Sequence, residues 1–252
     1  MRSQLSRFTS IALSCALGAL LCATTYGQDS AKYMRLAQVK VRVGQTADFD
    51  AMNHLLIDAY KKAGVPWRQV WSVSLFGEGG MNYIVTPVQD FAQFDADGPM
   101  TKLSAEDRVT YTNLARNAVE SAEYKLIMVR PELSLLSERA ALPKYARVTT
   151  IKAKAGKAPE VEALIAEMLV PALKAAGVKD YWVHSTVVGG PLGEYVTVQI
   201  FDKWSELDAV ATSKQIFGEN YGKYMARVAT CIEGARNETI KLEPKLTYMP
   251  EK

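Results

Sequence analysis

The sequence predicts an α+β fold made of two tandem copies of one βαββαβ unit, and two observations lead to this prediction. The first is an internal repeat, in which residues 32–45 align with residues 144–157, with Lys, Tyr, Arg, Lys and Gly recurring in place. The second is that the hydrophobic period changes in the same order in both copies. Two long copies indicate a duplicated domain rather than a solenoid of short repeats.

Later matches keep the same spacing of about 112 residues, set by Lys32 and Lys144. They align Ala-Gly-Val at 63–65 with Ala-Gly-Val at 176–178, Tyr83 with Tyr195, and Tyr111 with Tyr224. A spacing that persists over a hundred positions predicts two domains, residues 32–136 and residues 143–249.

Each copy begins with a strand and a helix. Apolar residues alternate in 36–43 and in 148–155, which predicts a strand that stops at Gly44 or Gly156. Apolar residues then recur at helical spacing, and both helices are expected to stop at the glycine of Ala-Gly-Val, where a left-handed residue is favoured.

Each copy continues with two short strands around a glycine turn, at 77–80 and at 189–193. A second helical region follows, roughly 100–122 and 213–235, and leads to a last strand near 124–133 and 237–247. This order is the ferredoxin-like unit, whose antiparallel sheet carries helices on one face only. We therefore expect the two antiparallel sheets to pack face to face as an α+β barrel within one chain.

The first 27 residues have the three parts of a signal peptide. Arg2 and Arg7 precede an uncharged apolar run at 11–23, and small residues lead to a cleavage site after Gly27. The apolar run is short for a membrane span, which needs about 20 residues. We therefore expect an exported protein, periplasmic or secreted, that has no membrane attachment after cleavage; an uncleaved anchor is the alternative.

The composition of the remaining chain argues against two classes of protein. Removing two arginines from 30 basic residues leaves 28, against 27 acidic ones, so no concentrated basic surface for nucleic acid is expected. Cys231 alone remains of three cysteines, which leaves no internal disulfide and no Cys/His cluster for a metal. His54, between Asp50 and Asp58 on the first helix, is assigned to a solvated face.

The strand-Gly-helix start of each copy, and the strand ends that lead into Asp90-Phe91 and Asp202-Lys203-Trp204, extend the pattern. With the element order, they make the chain resemble the dimeric α+β barrel superfamily, the antibiotic biosynthesis monooxygenase-like and NIPSNAP-like domains, in a fused two-copy form. The resemblance implies a fold that hosts oxygenases, haem-handling enzymes and isomerases, so it selects no activity. Haem-handling members carry a histidine on the second helix that this chain lacks, and no cofactor is expected.

Strand alternation places candidate ligand residues between the two sheets. Apolar faces, such as Trp71 with Val73 and Val196 with Val198, are expected under the helices, and the mixed faces are expected in the lumen. The predicted lumen residues are Ser72, Tyr83, Lys152, Trp182, His184, Thr186 and Tyr195. An imidazole among aromatic, hydroxyl and ammonium groups is suited to binding a small organic molecule or moving a proton. The alternative is a histidine satisfied by one hydrogen bond to a neighbouring strand.

The resemblance also implies a second place for a ligand, the cleft between sheet and helices of one unit. The candidates there are Asn53, Trp71, Tyr111 and Tyr224. Aromatic residues at helical spacing belong more often to a core than to a pocket, and both interpretations stay open.

Two classes of function follow. The first is an exported protein that binds a small organic molecule or forms homo-oligomers. The second is a cofactor-independent monooxygenase-like or isomerase-like enzyme with His184 or a tyrosine as acid or base. The first is favoured because the counterpart of His184 in the other copy is Ser72, so no catalytic group recurs, and no catalytic residue is assigned.

Overall fold

The computed structural model describes residues 31–137 and 141–249 of the 252-residue chain. The predicted signal peptide, residues 1–27, lies outside these residues. The strands are β1 Tyr33–Val41, β2 Gln69–Val73, β3 Met81–Val88, β4 Val119–Val129, β5 Tyr145–Ala153, β6 Tyr181–Val188, β7 Glu194–Phe201 and β8 Ile232–Leu242.

The helices cover the outside of the strands. The α-helices are α1 Thr46–Lys62, α2 Ala105–Ala118, α3 Ala158–Leu164, α4 Val170–Ala175, α5 Ser213–Phe217 and α6 Tyr221–Cys231, and a π-helical segment, Ile165–Leu169, joins α3 to α4. Short 3₁₀ turns lie at Phe91–Phe94, Pro99–Lys102, Pro131–Leu133, Trp204–Val210, Gly218–Asn220 and Pro244–Leu246. The predicted stops after the first helix of each half are confirmed, since Gly64 and Gly177 have φ angles of 75° and 86°.

The strands form one closed antiparallel barrel in the order β1-β3-β2-β8-β5-β7-β6-β4. Strands β4-β1-β3-β2 come from the first half of the chain, and β8-β5-β7-β6 from the second. Two seams join these sheets edge to edge, β2 against β8 at Trp71 and Leu242, and β4 against β6 at Ile127 and Thr186. The predicted α+β class and the barrel within one chain are confirmed, and the sheets are continuous at both edges rather than only stacked.

The barrel interior is an apolar core to which all eight strands contribute. Its residues are Met34, Leu36, Trp71, Tyr83, Ile127, Ala146, Val148, Val196, Ile200, Ile240 and Leu242, with Trp182 and Val198 partly buried against them. Other apolar clusters fill the spaces between the sheets and the helices.

This interior corrects the predicted facing of β2 and β7. Trp71, Val196 and Val198 line the lumen instead of lying under helices, whereas Tyr195 packs on the helical side. The register explains the error on β7. Tyr83 pairs with Gln38, but Tyr195 pairs with Ile151 and is one residue out of step with Tyr83. A shift of one residue turns a side chain to the opposite face of a sheet.

A buried ion pair lies beside the β4–β6 seam. Lys125 Nζ is 2.9 Å from Glu194 Oε1, and each side chain is only 7% exposed. Thr186 Oγ1 donates a second hydrogen bond, of 2.8 Å, to the same carboxylate oxygen. The three side chains belong to β4, β7 and β6, so this small network connects the two halves.

We expect Glu194→Gln to lower the free energy of unfolding by about 3 kcal/mol, because it leaves the buried Lys125 ammonium without its counter-charge. The control is Glu233→Gln, which removes the half-exposed partner of Lys152 and is expected to cost no more than about 1 kcal/mol. Urea denaturation measures both. Equal effects of the two substitutions would contradict the assignment of a buried, structural pair.

The apolar core also contains one histidine. His184 is 3% exposed, its Nδ1 donates a hydrogen bond of 3.1 Å to the Val196 carbonyl, and burial lowers its pKa from 6.5 to about 4. The imidazole is therefore neutral in the folded protein at pH 7.

This burial predicts a loss of stability in acid. Between pH 6.5 and pH 4 the unfolded chain binds a proton at His184 and the folded chain does not. The contribution is therefore complete above pH 6.5 and is lost as the pH falls, by up to about 3 kcal/mol. Urea denaturation from pH 7 to pH 4 should show a steeper fall for the wild type than for His184→Phe. His54→Gln, at an exposed histidine, should behave as the wild type does; a wild-type slope in His184→Phe would refute the prediction.

Candidate functional site

Three of the predicted lumen residues lie together in the barrel. Tyr83, Trp182 and His184 line an interior cavity of about 80 Å³, which Trp71 also lines. For comparison, a cavity of about 150 Å³ holds one benzene molecule. His184 bonds to β7 through Nδ1, and its buried Nε2 has no hydrogen-bond partner among the residues that the structure describes. This arrangement matches the alternative of a histidine that bonds a neighbouring strand, although its surroundings are apolar.

The other predicted lumen residues lie elsewhere. Tyr195 is on the helical side of β7, where its hydroxyl donates to Glu162 Oε1 at 2.7 Å. Ser72 is on the outer face of β2 and donates to Glu243 Oε1 at 2.5 Å.

The last two predicted lumen residues lie near the same end of the barrel, and each bonds to an acidic side chain. Lys152 is half-exposed and paired with Glu233, and Thr186 is held by Glu194. Ser72 and Tyr195 are therefore outside the lumen, because β2 and β7 turn inward the faces opposite to those predicted.

A larger cavity, of about 500 Å³, lies in the first half between the outer face of the sheet and its helices. We call it the first cleft. Its polar and aromatic lining residues are Arg35, Tyr60, Arg68, Thr86, Tyr111 and Tyr124. Apolar side chains of α1 and of the segment before α2 complete the wall, among them Met52, Leu56, Phe94 and Met100. Tyr111 thus lies where the resemblance placed a ligand cleft.

The two arginines of the first cleft are held by tyrosines. Arg35 Nη1 donates a hydrogen bond of 3.1 Å to the Tyr60 hydroxyl, and its guanidinium carbon is 4.6 Å from the centre of the Tyr124 ring. The Arg68 guanidinium carbon is 5.5 Å from the centre of the Tyr60 ring. Guanidinium groups at these distances from aromatic rings form cation–π contacts. One end of the cleft is therefore positively charged and aromatic.

Arg68 is the most deeply buried charge in this wall, with 1% of its surface exposed. Its Nη1 donates to the Leu246 carbonyl at 3.0 Å, its Nη2 donates to Asn53 Oδ1, and within 31–137 and 141–249 its Nε has no hydrogen-bond partner. Burial lowers its pKa to about 10, so the side chain remains a cation at neutral pH. Asn53, itself fully buried and bonded to the Phe49 carbonyl at 2.8 Å, supports Arg68.

The corresponding space in the second half is smaller, about 300 Å³, and we call it the second cleft. Tyr224 lines it, as Tyr111 lines the first. Its arginine, Arg147, donates from Nη2 to Gln199 Oε1 at 2.6 Å and from Nη1 to the Val210 carbonyl at 3.0 Å. Tyr181 takes the place of Arg68, and burial raises its pKa to about 12, so it is uncharged.

Within 31–137 and 141–249, no three His, Cys, Asp or Glu side chains are grouped so that they could hold a metal ion. Over the same stretches, every helix is too short or too polar to cross a membrane.

Sequence reasoning missed Arg35 and Arg68 as site residues. Arg35 recurs as Arg147 in the repeat and served only to align the two copies. Arg68 has no charged counterpart in the second copy. The available signal was the position of Arg68 itself, a basic residue next to Trp67 and directly before β2.

No protein-family model and no curated protein sequence matches the chain. Solved structures do. An anthrone oxidase-like protein superposes with a TM-score of 0.58 at 12% identity, covering 89% of this chain and 95% of its own.

Two proposed monooxygenases also superpose. One from Fusobacterium nucleatum has a TM-score of 0.57 at 11% identity, with 87% and 98% of the two chains covered. One from Lactobacillus acidophilus has a TM-score of 0.55 at 7% identity, with 87% and 99% covered. These identities establish the fold alone. The resemblance inferred from the sequence is confirmed at that level, since the chain has the α+β barrel fold that these structures share.

Proposed function

We propose that this protein binds a small organic molecule in the first cleft. The observation that carries the proposal is a cavity of about 500 Å³ whose wall combines apolar side chains with two arginines and three tyrosines. Ligand sites in proteins are typically apolar hollows of about 300–1,000 Å³ with a few polar groups that orient the ligand. The first cleft has this size and composition.

Two other cavities, the lumen and the second cleft, support the choice by contrast. The lumen is about 80 Å³, too small for a drug-sized ligand. In the second cleft, Gln199 and a backbone carbonyl already bond to Arg147, and the rings of Phe217 and Tyr224 stack 3.8 Å apart. The first cleft is roomier than either of these two, and among the described residues the buried Nε of its Arg68 has no hydrogen-bond partner.

The proposal also includes a duplication that produced the two halves and the export of the mature protein. Two fused ferredoxin-like copies would explain why β1 lies between β3 and β4 while β5 lies between β7 and β8. They would also explain the bridges Arg68–Tyr248 and Leu135–Tyr181, which occupy matching places in the two halves. The leader predicts that the mature protein is exported. Homo-oligomers are compatible with this role.

A second candidate is a cofactor-independent monooxygenase-like enzyme. The similarity of its fold to two proposed monooxygenases favours this candidate. His184 lines the lumen and not the first cleft, so a tyrosine would have to serve the cleft. Burial raises the pKa of Tyr111, and a protonated phenol at neutral pH suits a hydrogen-bond donor better than a base. This chemistry makes binding the preferred function.

Filling the first cleft should abolish binding. Ala122 lines the first cleft and Ala235 lines the second, so Ala122→Trp and Ala235→Trp form a matched pair. In saturation-transfer NMR with 2-naphthol, 2-naphthamide and 2-naphthoate, we expect signals with the wild type and Ala235→Trp, and their loss with Ala122→Trp. Thermal denaturation checks that both variants are folded. Undiminished binding by Ala122→Trp, or no binding by the wild type, would refute the proposal.

The enzyme candidate has a direct test with anthrone, the compound named by one fold relative. An oxygenase would convert anthrone and one O₂ into anthraquinone and one water, and would consume O₂ faster than anthrone does alone. We expect no acceleration by the wild type in an oxygen-electrode assay. A rate enhancement that Tyr111→Phe removes would favour the enzyme instead.

A further inference from the structure

We infer that the ligand of the first cleft is a planar aromatic acid whose negative group lies at the Arg68 end of the cavity. This inference rests on the proposed function, since it names the chemical class of the molecule that the cleft binds.

The first step is the charge of the wall. Two of the residues that line the first cleft are arginines, and none of its described lining residues is an aspartate or a glutamate. The hydrogen-bond acceptors of Arg68 are an amide oxygen and a backbone carbonyl, both neutral. In the part of the chain that the structure describes, the cleft thus has a positive charge that no carboxylate balances.

The second step is the burial of that charge. A buried cation is costly unless an opposite charge compensates it, because it has lost its water. Arg68 is 1% exposed, so solvent supplies little compensation. A bound anion would provide the missing charge, and it would gain more from this contact in a water-poor site than at the surface.

The third step is the number of free donors. A guanidinium carries five N–H groups in a planar fork that matches a carboxylate. Arg68 donates one hydrogen bond from each Nη, and its Nε has no partner in the described part of the chain. Arg68 therefore keeps unused N–H groups while Asn53 and the Leu246 carbonyl hold the guanidinium in place, and the partly exposed Arg35 of the same wall is open to direct contact with an oxyanion.

The fourth step is the shape of the remainder of the cavity. The rings of Tyr60, Tyr111 and Tyr124 contribute to the wall, and apolar side chains from α1 and the segment before α2 complete it. Aromatic rings favour offset or edge contacts with another ring. A flat aromatic body with one charged end fits this combination.

The test compares two probes that differ mainly in charge, 2-naphthoate and 2-naphthamide. By isothermal titration calorimetry at pH 7, we expect the full mature protein to bind 2-naphthoate at least about tenfold more tightly, because hydrogen bonds to a charged group are the stronger kind. In Arg68→Met this preference should fall to within about threefold. Arg147→Met, in the second cleft, is the matched control and should keep the wild-type preference.

The outcomes separate the inference from the proposed function. Equal wild-type affinities for the two probes, with binding still lost in Ala122→Trp, would overturn the anionic class and leave the binding site intact. Binding of neither probe would overturn both. An unchanged preference in Arg68→Met would also overturn the role of Arg68. Should that variant not fold, the wild-type comparison decides the charge preference, and Arg68→Lys, which keeps the cation, should retain part of it.

Discussion

The closure of eight strands at two seams is the constraint on which the rest of the structure depends. Each half supplies a sheet with two edges, and β2–β8 and β4–β6 pairing joins those edges. An unpaired edge leaves a row of backbone donors and acceptors exposed. Closure pairs the backbone donors and acceptors at both edges of both sheets. It also turns one face of every strand toward a shared interior.

The closed barrel determines where a ligand has room. An eight-stranded barrel has an interior that side chains alone can fill, and here Trp71, Tyr83 and Ile200 fill much of it, with residues from the other strands. Space remains on the outside, between sheet and helices. The two clefts there differ because Arg68 and Asn53 occupy the first, while Tyr181 and the Phe217–Tyr224 stack occupy the second. A similar architecture thus presents two arginines in the cleft of one half and a single arginine in the cleft of the other.

The sequence predicted the features that depend on local pattern. The repeat, the order of hydrophobic periods and the glycine stops at Gly64 and Gly177 were sufficient for the α+β class and the barrel. The facing of β7 failed because both parities of that strand carry apolar or weakly polar residues, and the alignment of Tyr83 with Tyr195 suggested a register that the backbone does not have.

The candidate site was less predictable for a related reason. Tyr111 and Asn53 were named, but Arg68 became notable only when its neighbours were known. Whether a buried cation indicates a site depends on the acceptors around it. Those of Arg68 are the Asn53 amide and the Leu246 carbonyl, which is 178 residues away in the sequence. No local pattern in the chain contains that information.

The seams also have a consequence for how the chain reaches its native state. Trp71 must find Leu242 across most of the sequence, and such non-local pairing gives a high contact order, which slows folding. A first half that forms early presents β2 and β4 as open edges until the second half arrives. At high concentration those edges can be completed by the second half of another copy, so domain-swapped dimers are the expected misassembly of this fold.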